Sequence, residues 1–365
     1  MLLTFASLLS LSTAVALRAA PAEVRPYQSL DLEVPCTPSV ARIDGDDRLV
    51  YELHATNFSG RTLTLTAVEV RDAASGAEIS RIDPAGMMRR IGAEGGDARS
   101  LAPGQRAILY LSVPWAGRST APLTHRITFD AAREGAATDR VTIVGGSVTP
   151  TPAVTTALGA PLRGGPWTAV YLPDHDNGHR RFPYAVSGRV RLPGRHAIDW
   201  MPARGFVSAS AGASAADGSG ADVLAVADAE VVAVKEPAAP GAPRNVEDET
   251  GAMIVLRLPD GRFAHYQHLE PGLRLSVGTT VRRGQVIAQV GSSGHVTQPH
   301  LHFHVSDGVR PLDSEGLPYR FGAGRIFGRY ASDADFDNGV AWQPAPARPI
   351  DGLPAPGSVI VFDRE

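Results

Sequence analysis

The chain has eleven histidines, and three of them fall at alternate positions in "PHLHFHV": His300, His302 and His304. In an extended strand, side chains at i, i+2 and i+4 share one face. The three imidazoles then stand together, while Leu301, Phe303 and Val305 turn towards a core. Neighbouring imidazoles are costly to bury unless their nitrogens are satisfied, and a metal with hydrogen-bonded outer partners satisfies them. The other reading is a row of surface or structural histidines. Two further stretches favour the metal. "RFAHYQHLEPG" (Arg262–Gly272) places His268 directly before a turn, and "GRHAIDWMPARG" (Gly194–Gly205) sets Asp199 between Ile198 and Trp200. A carboxylate there is expensive to bury without a cation.

These residues also resemble a family. "VGTTVRRGQVIAQVGSSGHVTQPHLHFHV" (Val277–Val305), "HYQHL" and "AIDWMP" resemble the M23 zinc metallopeptidases of the lysostaphin/LytM type, and "DVLAVADAEVVAVKE" (Asp222–Glu236) is similar to the strand pair that follows their aspartate motif. The likeness covers roughly residues 167–321. It implies that His302 and Asp199 bind Zn2+, and that His268 and His300 are the catalytic imidazoles. The family's first ligand usually precedes the aspartate as H-x-x-x-D, whereas His196 and Asp199 are spaced H-x-x-D. On an extended strand those two would face opposite sides. A subgroup of the family carries the histidine earlier, in an "S/N-G-H-R-R" segment, and "GGPW" followed by "DNGHRRFPY" (Asp176–Tyr184) fits it. The resemblance therefore implies His179 as the first ligand, with His196 as the alternative and His175 as a third. His304 is expected as a flanking residue at the rim, and His265 and His295 in solvent-facing loops.

Two histidines and one carboxylate leave a tetrahedral position open, as in catalytic zinc sites. Two non-ligand imidazoles can then move a proton and stabilise an oxyanion. The expected function is an exported zinc-dependent metalloendopeptidase that hydrolyses peptide bonds in peptidoglycan stem peptides or cross-bridges. The alternative is an inactive LytM-like binding module that regulates a cell-wall amidase. Degenerate members usually lack zinc residues, and here every role has a candidate. A biotinyl or lipoyl carrier needs a lysine at a hairpin tip, but the only lysine, Lys235, is followed by Glu-Pro. A cupin also uses H-x-H, yet no histidine follows His304 and the next acid is Asp307.

The elements that must position these groups are strands. Glycine (38) and proline (29) are abundant, and short runs rich in Val, Leu, Thr and Ile lie between them. The fold expected is mainly β: an N-terminal immunoglobulin-like β-sandwich, then an antiparallel M23/LytM-type sheet domain, barrel-sandwich-hybrid-like by resemblance. The N-terminal part shows period-two runs such as "LVYELHATNFSG" and "LTLTAVEVRD", and its two histidines, His54 and His125, read as structural. The boundaries are 1–22 for a signal peptide, 23–149 for the sandwich, 150–166 for a linker, 167–327 for the peptidase domain and 328–365 for a C-terminal extension. Residues 204–221 read as an insertion loop. The apolar leader implies export to the periplasm or the extracellular space, with no membrane span after its removal. A formal net charge of −3 without basic clusters argues against nucleic acid as a partner. Cys36 is the only cysteine, so no internal disulfide forms.

Overall fold

The computed structural model describes residues 29–92, 97–117, 121–132, 138–171, 178–204, 217–239 and 245–363. The leader, His175 and residues 205–216 of the insertion loop lie outside them. The described chain is mainly β, in several antiparallel sheets.

Two five-stranded sheets form the N-terminal part. One contains Leu30–Glu33, Val40–Ile43, Asp46–Asn57, Arg106–Pro114 and Ile91–Gly92; the other contains Thr138–Val148, Leu123–Ala132, Leu63–Asp72, Glu78–Ile82 and Ser100–Leu101. They share a core that includes Leu49, Tyr51, Leu53, Leu65, Val68, Leu109, Ile127 and Phe129. Asp46–Asn57 is buried on both faces from Leu49 onward. Its odd positions fill this core, while Val50 joins the core of the second region and Glu52 faces charged partners there.

The second region is built on an eleven-stranded antiparallel sheet. Its centre runs, in spatial order, through Ala252–Arg257, Phe263–Leu269, Leu301–Ser306, Ile198–Pro202, Trp167–Val170 and Ser358–Val361. The register sets Phe303 opposite both Tyr266 and Ile198, and Leu301 opposite Trp200. These side chains fill one apolar core with Val223 and Ile287 from the small Asp222–Leu224/Val286–Gln289 sheet. The opposite face of Phe263–Leu269, Leu301–Ser306 and Ile198–Pro202 carries His265, Gln267, His302, His304 and Asp199.

Two segments expected outside the peptidase domain are part of this body, the second through the closing "SVIVFD", whose sequence reads as a last strand. Leu158, Ala160 and Leu162, within the expected linker, are buried in the core, and Leu158 and Leu162 bridge to Phe321 and Val223. The segment expected as a C-terminal extension supplies Ser358–Val361, which pairs with Trp167–Val170 on one side and Arg325–Arg329 on the other.

Candidate metal centre

Strand register assembles the site. His302 lies directly opposite Asp199 on one neighbouring strand and Gln267 on the other, so their side chains share the face away from Phe303. His302 Nδ1 is 3.0 Å from Asp199 Oδ1, and His179 Nε2 is 2.9 Å from Asp199 Oδ2. One ligand atom each from His179, Asp199 and His302 lies within 4.8 Å of the other two. Two imidazole nitrogens and a carboxylate oxygen at this separation are a donor set suited to a divalent cation. Burial alone would raise the Asp199 carboxyl, but the His179, His302 and His300 imidazoles outweigh it and hold the carboxyl well below its usual range.

His179 comes from a three-residue 3-10 turn, His179–Arg181, that packs on a second short turn, Pro193–His196. The close approach requires Gly194: a Cβ there would fall 2.6 Å from the His179 Cβ and 2.7 Å from its carbonyl oxygen. His196 ends the second turn, is 2% exposed and is not part of the cluster.

His268 and His300 flank the cluster, with ring centroids 4.8 Å apart; His268 is 5.9 Å from His302 by the same measure. Simple alternation would put His268 with Tyr266, on the core face. The pairing with Ala252–Arg257 shifts register between Ala252 and Ile254, and His268 adopts φ 63°, in the left-handed region. A bulge of this kind re-aims a side chain, and a non-glycine residue held at positive φ marks a constrained site. Each of the two histidines is anchored through Nδ1: His268 donates to Ser293 O at 2.9 Å, and His300 to Gln298 O at 2.9 Å. The carbonyls fix a proton on Nδ1 of each ring and leave Nε2 to face the cluster, where His300 Nε2 is 3.5 Å from Asp199 Oδ1. Burial, with the His302 and His300 imidazoles adding to it, lowers the His268 pKa to about 3.

Two sequence expectations are corrected here. His304, expected at the rim, is 2% exposed, with Nδ1 3.0 Å from His302 Nε2. His265, expected in a solvent-facing loop, is fully buried in the adjacent strand and stacks on His304 at 4.4 Å and 8°. Register explains both: His265 and His304 are cross-strand partners, and Gly308 of the following loop takes the His265 Nε2 proton at 3.0 Å. His295 is exposed. Sequence reasoning missed Gln267 and Glu249, which line the same cleft of about 330 Å³ with His179, His268 and His302. The register partner of His302 was a usable signal for Gln267; nothing local marks Glu249.

Residues 208–314 match the model of peptidase family M23. The chain is 34% identical over 139 residues to the peptidoglycan DD-endopeptidase ShyB of Vibrio cholerae, covering 38% of this chain. It spans 30% of the length of that curated relative. Among solved structures, the catalytic domain of the prophage-encoded M23 protein EnpA from Enterococcus faecalis is 22% identical, with a TM-score of 0.28 over 43% of this chain and 92% of that one. A zinc-containing peptidase from Vibrio cholerae is 19% identical, with a TM-score of 0.27 over 78% of this chain and 83% of that one. Family match, antiparallel sheet and donor set agree: the sheet domain has the fold of an M23 zinc metallopeptidase of the lysostaphin/LytM type, with a His-Asp-His cluster compatible with a divalent metal.

Proposed function

We propose that the protein is an exported zinc metalloendopeptidase that cuts peptide bonds of peptidoglycan, in the periplasm or outside the cell. His179, Asp199 and His302 hold the metal, and His268 and His300 are the catalytic residues. The observation that carries this reading is the joint arrangement of the three donors with two imidazoles whose Nδ1 protons are tied to backbone carbonyls. Zinc, when bound, supplies Lewis acidity and lowers the pKa of a water to about 7. The chain's own groups do the rest. Neutral His268 offers Nε2 as a proton acceptor at neutral pH, and His300 offers the same atom from the other side. Protonated after that transfer, either imidazole donates from Nε2 to a developing oxyanion or to the leaving amine.

The cleft supports a peptide substrate. Phe182, Tyr184, Val246, Pro311 and Leu312 give it apolar walls, and Glu249 adds an exposed carboxylate that suits an amine-bearing side chain. The name of the Vibrio relative points to the peptidoglycan D,D-bond class, and we carry that class to this chain as part of the proposal. The two N-terminal sheets we read as an immunoglobulin-like sandwich. Among the described residues no helix is long and apolar enough to cross a membrane.

The test measures zinc in the purified full chain and soluble peptides released from purified sacculi. We expect one zinc per chain and peptide release that a chelator abolishes. A metal-free protein that releases nothing, and instead stimulates a cell-wall amidase, sinks the hydrolase reading. His179→Ala is expected to lose zinc while His196→Ala retains it; the opposite pattern overturns the ligand set.

A further inference from the structure

We propose that Glu52, on the N-terminal sheet, is a positioning residue for the metal centre, and that the N-terminal part of the chain is thereby a component of that centre. The inference rests on the metal reading above. His179 is the donor that does not come from the central sheet. A three-residue turn has too few internal hydrogen bonds to hold a donor in place by itself, so its rigidity must come from neighbours.

The neighbours are N-terminal. Arg180, next in sequence to His179, is 2% exposed and reaches out of the peptidase region into the first sheet. Its Nε donates to Glu52 Oε1 at 2.8 Å, and its Nη2 donates to Tyr51 O at 2.6 Å and Leu111 O at 2.8 Å. The other Glu52 oxygen accepts from Arg195 Nε at 2.8 Å, and Arg195 Nη2 donates to Glu315 at 2.7 Å. Arg195 belongs to the turn that carries Gly194, the surface on which His179 rests. One carboxylate therefore grips both short turns that shape the His179 side of the site. Arg181 completes the hold, with its guanidinium 4.4 Å from the centre of the Tyr110 ring.

The network has two buried guanidiniums and two buried carboxylates, so it is neutral as a whole. Removing one partner leaves an uncompensated charge, the costly case for a buried ion pair. With Glu52 replaced, Arg180 becomes a buried cation without its carboxylate, and the turn bearing His179 keeps only the bonds to Tyr51 O and Leu111 O and the Arg181–Tyr110 contact. Asp199 and His302, which sit on paired strands, keep their places. The expected consequence is a weakened metal site in an otherwise folded peptidase region.

The test uses the full chain with Zn2+ and Co2+, comparing wild type, Glu52→Ala and a control, Val68→Ala. Val68 is buried in the N-terminal core and belongs to the other sheet. Affinity is measured by competition with a chromophoric chelator, and the Co2+ absorption spectrum reports the coordination. We expect Glu52→Ala to weaken Zn2+ roughly 10- to 100-fold, the range for outer partners of metal ligands, and to change the Co2+ spectrum. Val68→Ala is expected to lower Tm while leaving affinity and spectrum at wild-type values. Equal loss of affinity in both variants at matched Tm, or unchanged affinity in Glu52→Ala, overturns the proposal. Should Glu52→Ala not fold, Arg180→Met carries the same expectation, because it leaves Glu52 paired with Arg195. A wild-type chain that binds neither ion refutes the metal reading instead.

Discussion

At the scale of single residues, one device recurs: a buried imidazole that gives its Nδ1 proton to a backbone carbonyl and keeps Nε2 for something else. In His268 and His300 that nitrogen faces the site, and in His300 it stands 3.5 Å from Asp199 Oδ1. In His125, far from it, Nε2 accepts from the Tyr51 hydroxyl at 2.8 Å while Nδ1 donates to Gly146 O at 3.0 Å. The neutral ring is fully satisfied, and burial lowers its pKa from 6.5 to about 4. The unfolded chain therefore binds this proton first as pH falls. The stabilisation is complete above about pH 6.5 and is lost progressively down to about pH 4, on the order of 3 kcal/mol in all. His125→Gln is predicted to flatten Tm against pH across that window. An equally steep profile in the variant would refute the assignment. Asp199 is the opposite case, a half-buried carboxylate held ionised by imidazoles. Asp199→Asn keeps its shape but not its charge, and is predicted to weaken Zn2+ by more than the roughly 100-fold that an outer partner can cost. Chelator competition gives the number.

At the scale of elements, the site depends on two local departures from regularity. The first is the bulge that turns His268 out of the strand's alternation. Asparagine tolerates left-handed backbone and valine does not. His268→Asn is therefore predicted to keep Tm while losing peptidase activity, and His268→Val to lose about 1–2 kcal/mol of stability as well; equal Tm values would mean that the φ of 63° is not a constraint. The second is the contact of Gly194 with His179. Gly194→Ala pushes directly on the ligand's backbone and is predicted to cost about 1–3 kcal/mol, with a parallel fall in zinc affinity. The alternating "HLHFHV" and the apolar flanks of Asp199 were legible because strand parity is a local property. The bulge at His268 was not, since it depends on one more residue between Ala252 and Ile254's partners than the facing strand has. His265 and His304 misled for a related reason. Each looks solvent-compatible in sequence, and only their cross-strand pairing shows that they cover one another. Glu52 is the clearest failure of local reading: an acid inside an alternating strand signals an outward face, yet that face meets the second half of the molecule.

At the scale of the whole molecule, the two halves are joined by charge as well as by chain. Besides Glu52, Arg42 of the first sheet binds Asp351 through two nitrogens, each at 2.8 Å, and Ile43 bridges to Leu353. These contacts tie the N-terminal sheets to the segment that leads into Ser358–Val361. That strand is interior to the large sheet, with Val359 and Ile360 fully buried. Removing it would bare the backbone edge of Trp167–Val170, whose other neighbour is the strand carrying Asp199. An exposed interior edge invites pairing with other chains, and the lost side chains would open the Trp200–Phe321–Phe362 aromatic cluster. Deleting residues 358–365 is therefore predicted to yield an aggregating protein that binds no zinc, although every site residue is retained. Changing only the exposed residue next to the strand, in Asp363→Asn, removes just the carboxylate that accepts from Gly324 N at 2.8 Å; it should leave a soluble, zinc-binding chain with a slightly lower Tm. Size-exclusion chromatography with zinc analysis separates the outcomes. A truncated chain that stays monomeric with full zinc would mean that the last strand is an appendage and that the site is held without it.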